Sequence, residues 1–173
     1  MIDYNKFAKE AYEVSVSKGW HDARDLEDPD TRASMYALIH SEISEALECI
    51  RNGELTTTYA KSGKPEGLPS ELADVFIRVC DFTHCFGVSP QKIKLRGLVK
   101  PIPAMKAAAA IAAMHKDVSD ALDTQEEEWE HLGWLISRCY QLAEAYDVDL
   151  DSAILEKHAF NKTRPRLHGG KAI

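Results

Sequence analysis

Two acid pairs in the chain are spaced for chemistry. Glu42 and Glu45 lie three residues apart in HSEISEAL, and Glu71 and Asp74 lie three apart in SELADV. Residues three apart share one face of an α-helix. If the two helices are antiparallel neighbours, four carboxylates converge in one cleft. Such charges repel and raise one another's pKa values, and a divalent cation removes the conflict. Ligation by oxygen alone favours Mg2+, with Mn2+ as the substitute, over zinc. Magnesium keeps waters and shares its sphere with substrate phosphates. The constellation therefore suits metal-assisted attack of water on a polyphosphate. The competing reading is that E-x-x-E and E-x-x-D are common on helix faces that simply meet water. Both pairs border apolar stripes, Ile43/Ala46/Leu47 and Leu72/Val75/Phe76, which sets them near a helix seam or at its boundary.

Helical elements must position these acids. Apolar residues recur at three- and four-residue steps and predict helices over about 3–18, 31–51, 70–86, 104–122, 125–146 and 150–160. Gly19 and Gly87 read as stops and Ser70 as the cap of the third helix. NGELTTTYAKSGKPEGLP reads as an exposed loop, SPQKIKLRGLVKPIP as a short helix and linker, and NKTRPRLHGGKAI as irregular. No segment alternates as a strand should, so the expected class is all-α.

The acid pattern also recurs. HSEISEAL returns as HKDVSDAL at 115–122, and a shift of 75 places Ile39–Leu47 on Met114–Leu122. A shift of 60 places Leu72, Val75, Phe76 and Arg78 on Leu132, Leu135, Ile136 and Arg138. The expectation is one domain over 1–173, with an active half at about 1–87, a linker at about 88–103 and a divergent half at about 104–173. Two helix pairs about a pseudo-two-fold axis would form a four-helix-bundle core, a degenerate tandem repeat with extra N- and C-terminal helices. In the second copy Glu71 and Asp74 become His131 and Trp134. Tryptophan cannot ligate a metal, so that copy is expected to have lost its site and to serve as scaffold.

E-x-x-E, 25 intervening residues and E-x-x-D resemble the signature of the all-α nucleoside triphosphate pyrophosphohydrolases, a group that includes MazG proteins and dimeric dUTPases. LIHSEISEALE, KPEGLPSELADVFIRVCDF and EKHAFNKTRPRLHGGK look like the MazG-like branch in particular. The resemblance implies Mg2+-dependent cleavage of a nucleoside triphosphate, often a dNTP, to the monophosphate and pyrophosphate. Glu42, Glu45, Glu71 and Asp74 would hold the metal, and one glutamate, Glu42 or Glu45, would orient or deprotonate the attacking water. Lys157, Asn161 and Arg164 match the family's tail and would contact phosphates or the sugar. The degenerate second copy resembles the fused arrangement of dimeric dUTPases.

The tail also stands on its own charge. From residue 157 onward there is no acid, yet Lys157, Lys162, Arg164, Arg166 and Lys171 add positive charge to a chain of net −7. That asymmetry suits an anion, which arginine meets in bidentate geometry. The alternative is a solvated basic tail. Trp20 can stack on a nucleobase or cover the core edge. Lys61 and Lys64 sit in the loop that the second copy lacks; that loop either closes the pocket, with Lys64 as the substrate contact, or is a surface connection. His40 is expected to make a structural hydrogen bond, since His115 persists in the altered copy. Arg78 is expected to pair with an acid, and Asp81 to be an extra ligand or an outer acid.

Composition sets outer bounds. The net charge of −7 argues against nucleic acid as a general partner. Cys49, Cys80, Cys85 and Cys139 form no C-x-x-C pair and sit in apolar stretches, as reduced core residues do. The longest apolar run, AAAAIAAM at 107–114, is too short to span a bilayer, and the N-terminus lacks a signal-peptide core. A cytoplasmic protein without a membrane partner is the expectation, and a homodimer is favoured as cover for a long acidic pocket. Two other functions compete: a helical module that holds a nucleotide or a partner helix without turnover, and a di-iron bundle using Glu128/His131 with Asp81/His84.

Overall fold

Caps set the helix ends. The structure is a computed structural model that describes residues 2–22, 24–87, 107–124 and 127–170. Helix α1 (Tyr4–Ser17) starts at Asp3, whose carboxylate accepts from the Lys6 N–H at 3.2 Å. Helix α2 (Pro29–Asn52) starts behind Asp28, with proline in its first turn, and stops at Gly53 with φ 75°. The stretch expected as an exposed loop is only half so. Strands β1 (Thr58–Tyr59) and β2 (Pro65–Glu66) pair antiparallel, and Pro65, Gly67, Leu68 and Pro69 are buried.

Helix α3 (Leu68–Cys85) begins two residues earlier than the sequence pattern suggests, and Ser70 does not cap it. The cap position is Gly67 at φ 95°, where a Cβ would lie 2.4 Å from the Thr56 carbonyl oxygen. Only glycine fits where the chain passes so close to itself. Ser70 instead turns inward and donates to the Pro65 carbonyl at 2.7 Å.

Helices α4 (Ala107–Asp123), α5 (Glu128–Ala145) and α6 (Leu150–Thr163) follow, then one irregular turn, α7 (Leu167–Gly170). The short helix and linker expected at about 88–103 lie outside the described residues. Helix α6 runs three residues past its expected end, which carries Asn161 on a helix. The tail after it is tied down: the Leu167 N–H donates to the Lys18 carbonyl at 2.8 Å.

The expected all-α bundle is the architecture observed. α2 packs on α3 and α4, α5 packs on α3 and α4, and α1 and α6 both lie against α3. Ile39, Ile43, Leu72, Phe76, Met114, Leu132, Leu135 and Ile136 are buried in its core. Arg78 pairs with Glu42 at 2.6 Å, and Arg138 pairs with Asp117 at 2.5 Å. Between α2 and α4 the His40 and His115 rings stack, their Nδ1 atoms 2.8 Å apart. Among the described residues no helix is long and apolar enough to cross a membrane.

Candidate functional site

Helices α2 and α3 bring three of the four expected acids together. One carboxylate oxygen each from Glu42, Glu45 and Glu71 lies within 4.8 Å of the other two. Glu42 and Glu71 are buried and Glu45 is exposed, so the cluster has a floor and an open side. Both Glu42 and Glu71 follow from helix spacing, since each precedes an apolar position that points into the seam. The fourth acid, Asp74, is engaged elsewhere: its Oδ2 lies 2.7 Å from the Lys157 ammonium.

Lys157 sits differently from its expected place as a phosphate contact. It is 1% exposed. Its Nζ donates to Ser70 Oγ at 2.5 Å, with the Pro65 carbonyl at 3.5 Å and Asp74 completing the shell. An ammonium enclosed by three acceptors has no donor left for the cleft. Lys157 is thus a buried strut that locks α6 to the first turns of α3 and holds Asp74 in position.

Burial strains the acid cluster electrostatically. It raises the Glu71 carboxyl from 4.5 to about 7, the Asp74 charge adding to the shift and Lys157 opposing it. Burial also raises Glu42, here against the Arg78 guanidinium, which donates to Glu42 Oε1 from both Nε and Nη2 at 2.6 Å.

The acids open into a cleft of about 320 Å³ between α1, α2, α3 and the α6–α7 tail. Trp20, Lys64, Asn161 and Arg164, all expected at a substrate site, line it, together with Asp74, Arg78 and Asp81. Trp20 presents its indole edge-on to His168, ring centroids 5.1 Å apart. Lys64 stands 3.8 Å from Glu66. The guanidinium groups of Arg24 and Arg164 make no hydrogen bond or ion pair with the described residues, and burial lowers the pKa of both. Arg24 lies in the polar loop just before α2, where no repeat or motif marks it.

Asp81 is not part of the three-oxygen cluster. Its carboxylate accepts from Ser15 Oγ at 3.0 Å and lies 2.8 Å from His21 Nε2. Burial alone would lower the His21 pKa, but Asp81 and then Cys85 outweigh it and raise the imidazole to about 9. Cys85 is only partly buried, its Sγ 3.7 Å from His21 Nδ1, whereas Cys49, Cys80 and Cys139 are buried.

The second helix pair offers no comparable cluster among the described residues. Asp117 is consumed by Arg138, and His131 packs edge-on against Trp134 at 4.8 Å. Glu128, half of the di-iron alternative, receives Arg32 at 2.5 Å and the Tyr36 hydroxyl at 2.5 Å. Set beside protein-family models, curated proteins and solved structures, the chain matches none.

Proposed function

We propose that the protein is a Mg2+-dependent nucleoside triphosphate pyrophosphohydrolase, with Mn2+ as an acceptable substitute, that splits a (d)NTP into (d)NMP and pyrophosphate in nucleotide-pool house-cleaning. One observation carries the reading: three carboxylate oxygens within 4.8 Å share a cleft with two guanidinium groups that make no hydrogen bond or ion pair with the described residues. The donor set fits a hard cation, being all oxygen, and Glu71 is a buried carboxyl raised to about 7 that the Lys157 charge offsets only in part. Bound there, the cation would supply charge neutralisation and Lewis acidity toward phosphate oxygens.

The chain's own groups divide the remaining work. Arg164 and Arg24 receive phosphate oxygens. Glu45, the exposed member of the cluster, orients a water and accepts its proton at a carboxylate oxygen, with Glu42 as the other candidate base. The water oxygen bonds to the α-phosphorus, the bridging bond to the β-phosphate breaks, and pyrophosphate leaves. Lys157 keeps Asp74 in place beside Glu71. Trp20 and Asn161 stand where a nucleoside would extend. A homodimer that covers the pocket belongs to this reading, and sedimentation velocity tests it.

A second reading has its own support. Arg78 on Glu42 and Lys157 on Asp74 neutralise two acids without any metal, as a binding module would permit. A panel of canonical and modified NTPs with Mg2+ separates the two, scoring pyrophosphate against orthophosphate. The hydrolase reading expects pyrophosphate from the parent and loss of turnover in Glu45→Ala with the fold retained. Orthophosphate as the only product, or Glu45→Ala turning over at the parent rate, refutes it. Nucleotide binding without any product supports the module.

A further inference from the structure

A buried histidine in the cleft wall has nothing to bond. His158, on α6, is 3% exposed and lines the cleft with Ala11, Val14 and Asn161. Neither of its ring nitrogens meets a hydrogen-bond partner among the described residues. Oδ1 of Asn161, three residues on along the same helix face, is buried and unpaired as well. Buried polar atoms are costly to leave unsatisfied, and native structures seldom tolerate them without a reason. Here three gather on one helix face beside one cavity. The His158 ring is also held in place, packing on Phe7 with centroids 4.8 Å apart.

The surroundings say which ligand group belongs there. Burial, then Lys162, holds the imidazole below its ordinary 6.5, with Glu10 opposing. A neutral imidazole offers one donor and one acceptor. Beside it stand Phe7, Ala11 and Val14, an apolar wall from α1 that carries no charge of its own, while Lys18 lines the cleft farther along. An uncharged planar ring with donors and acceptors along its edge suits such a wall. The indole of Trp20 lines the same cleft and adds an aromatic surface for that ring.

We infer that His158, with Asn161 beside it, reads the hydrogen-bonding edge of the nucleobase and sets the enzyme's base preference. This rests on the nucleotide reading above, but not on turnover. It assigns Asn161 to the base-proximal part of the substrate rather than to its phosphates.

Two experiments test it. In the first, imidazole 15N spectra of the metal-free parent protein are recorded in EDTA while deoxycytidine, deoxyuridine, deoxyadenosine and deoxyguanosine are added. These probes carry no phosphate. At least one should shift the His158 nitrogens and fix a single tautomer. In the second, kcat/KM is measured with Mg2+ across the four dNTPs for the parent, His158→Phe and Asn161→Ala. Phenylalanine keeps the packing on Phe7 and removes both nitrogens, so the ratio between best and second-best base should fall about tenfold. Mn2+ affinity, read by electron paramagnetic resonance, should not follow it. His158 signals unmoved by every nucleoside, or an unchanged base ranking in His158→Phe, overturn the inference while leaving hydrolysis intact. If no NTP is hydrolysed but a nucleoside shifts His158, the hydrolase reading fails and the base subsite stands. Should His158→Phe not fold, the spectra of the parent decide alone.

Discussion

Replacing Glu71 with glutamine should stabilise the metal-free protein at pH 8. Burial lifts this carboxyl from 4.5 to about 7, with Asp74, Glu45 and Glu42 adding to the rise and Lys157 resisting it. The folded state therefore holds the proton more tightly than the unfolded chain does. That proton contributes stability fully below about pH 4.5, and the contribution is lost as pH rises through about 7. The interval converts to about 3 kcal/mol at most. The open side of the cluster screens part of that cost, so the expected gain is about 1–2 kcal/mol. For a chain of this length that is about 3–6 °C in Tm. Thermal melts of parent and Glu71→Gln in EDTA between pH 5 and pH 8.5 measure it. The variant should melt higher at pH 8, and the gap should close toward pH 5. Added Mg2+ should raise the parent's Tm and not the variant's. A variant that melts lower than the parent at pH 8 without metal, or a gap that ignores pH, refutes the picture of a buried carboxylate compensated only in part.

Three other outcomes follow from the same geometry. Lys157→Met leaves Asp74 and Ser70 without their ammonium and should cost about 2–4 kcal/mol in urea denaturation; a loss below half of that would mean the strut is dispensable. Gly67→Ala places a Cβ 2.4 Å from the Thr56 carbonyl at φ 95°, so a loss of at least about 2 kcal/mol is expected in the same assay. In Asp81→Asn, His21 loses the partner that raises it to about 9. The parent's advantage of about 2 kcal/mol should be full below pH 6.5 and vanish as pH passes 9, and an advantage that persists at pH 10 would contradict the assignment.

Which features the sequence revealed depends on how local their causes are. Glu42, Glu45 and Glu71 were legible as neighbours because a three-residue step fixes the helix face, but their depth was not, since a seam and its boundary share one pattern and Glu45 is exposed. Arg78 was legible as an ion-pair partner because Arg138 holds the matching position under the 60-residue shift. Lys157 was not. Its charge suggested an outward phosphate contact, and nothing local says that Pro65, Ser70 and Asp74 fold around it. The cap of α3 was misplaced for a similar reason. Ser70 has the right chemistry for a cap, but the decision belongs to Thr56, whose carbonyl forces glycine at 67. His21 and Cys85 meet across 64 residues, beyond any periodicity. Nothing in the sequence singled out His158, since its burial depends on Phe7 of α1.

The strut from α6 has a consequence for the order in which the molecule is made. Lys157 lies 87 residues downstream of the serine that it bonds. A ribosome that has released the chain only through Cys85 has delivered all four acids but neither their ammonium nor Arg164. That nascent half carries concentrated negative charge with no lysine from the C-terminal end to anchor it. Docking of α6 then gives Asp74 its ammonium and completes a pocket that Arg78 on Glu42 only begins, so a prematurely terminated chain leaves an unfinished site rather than a smaller working one.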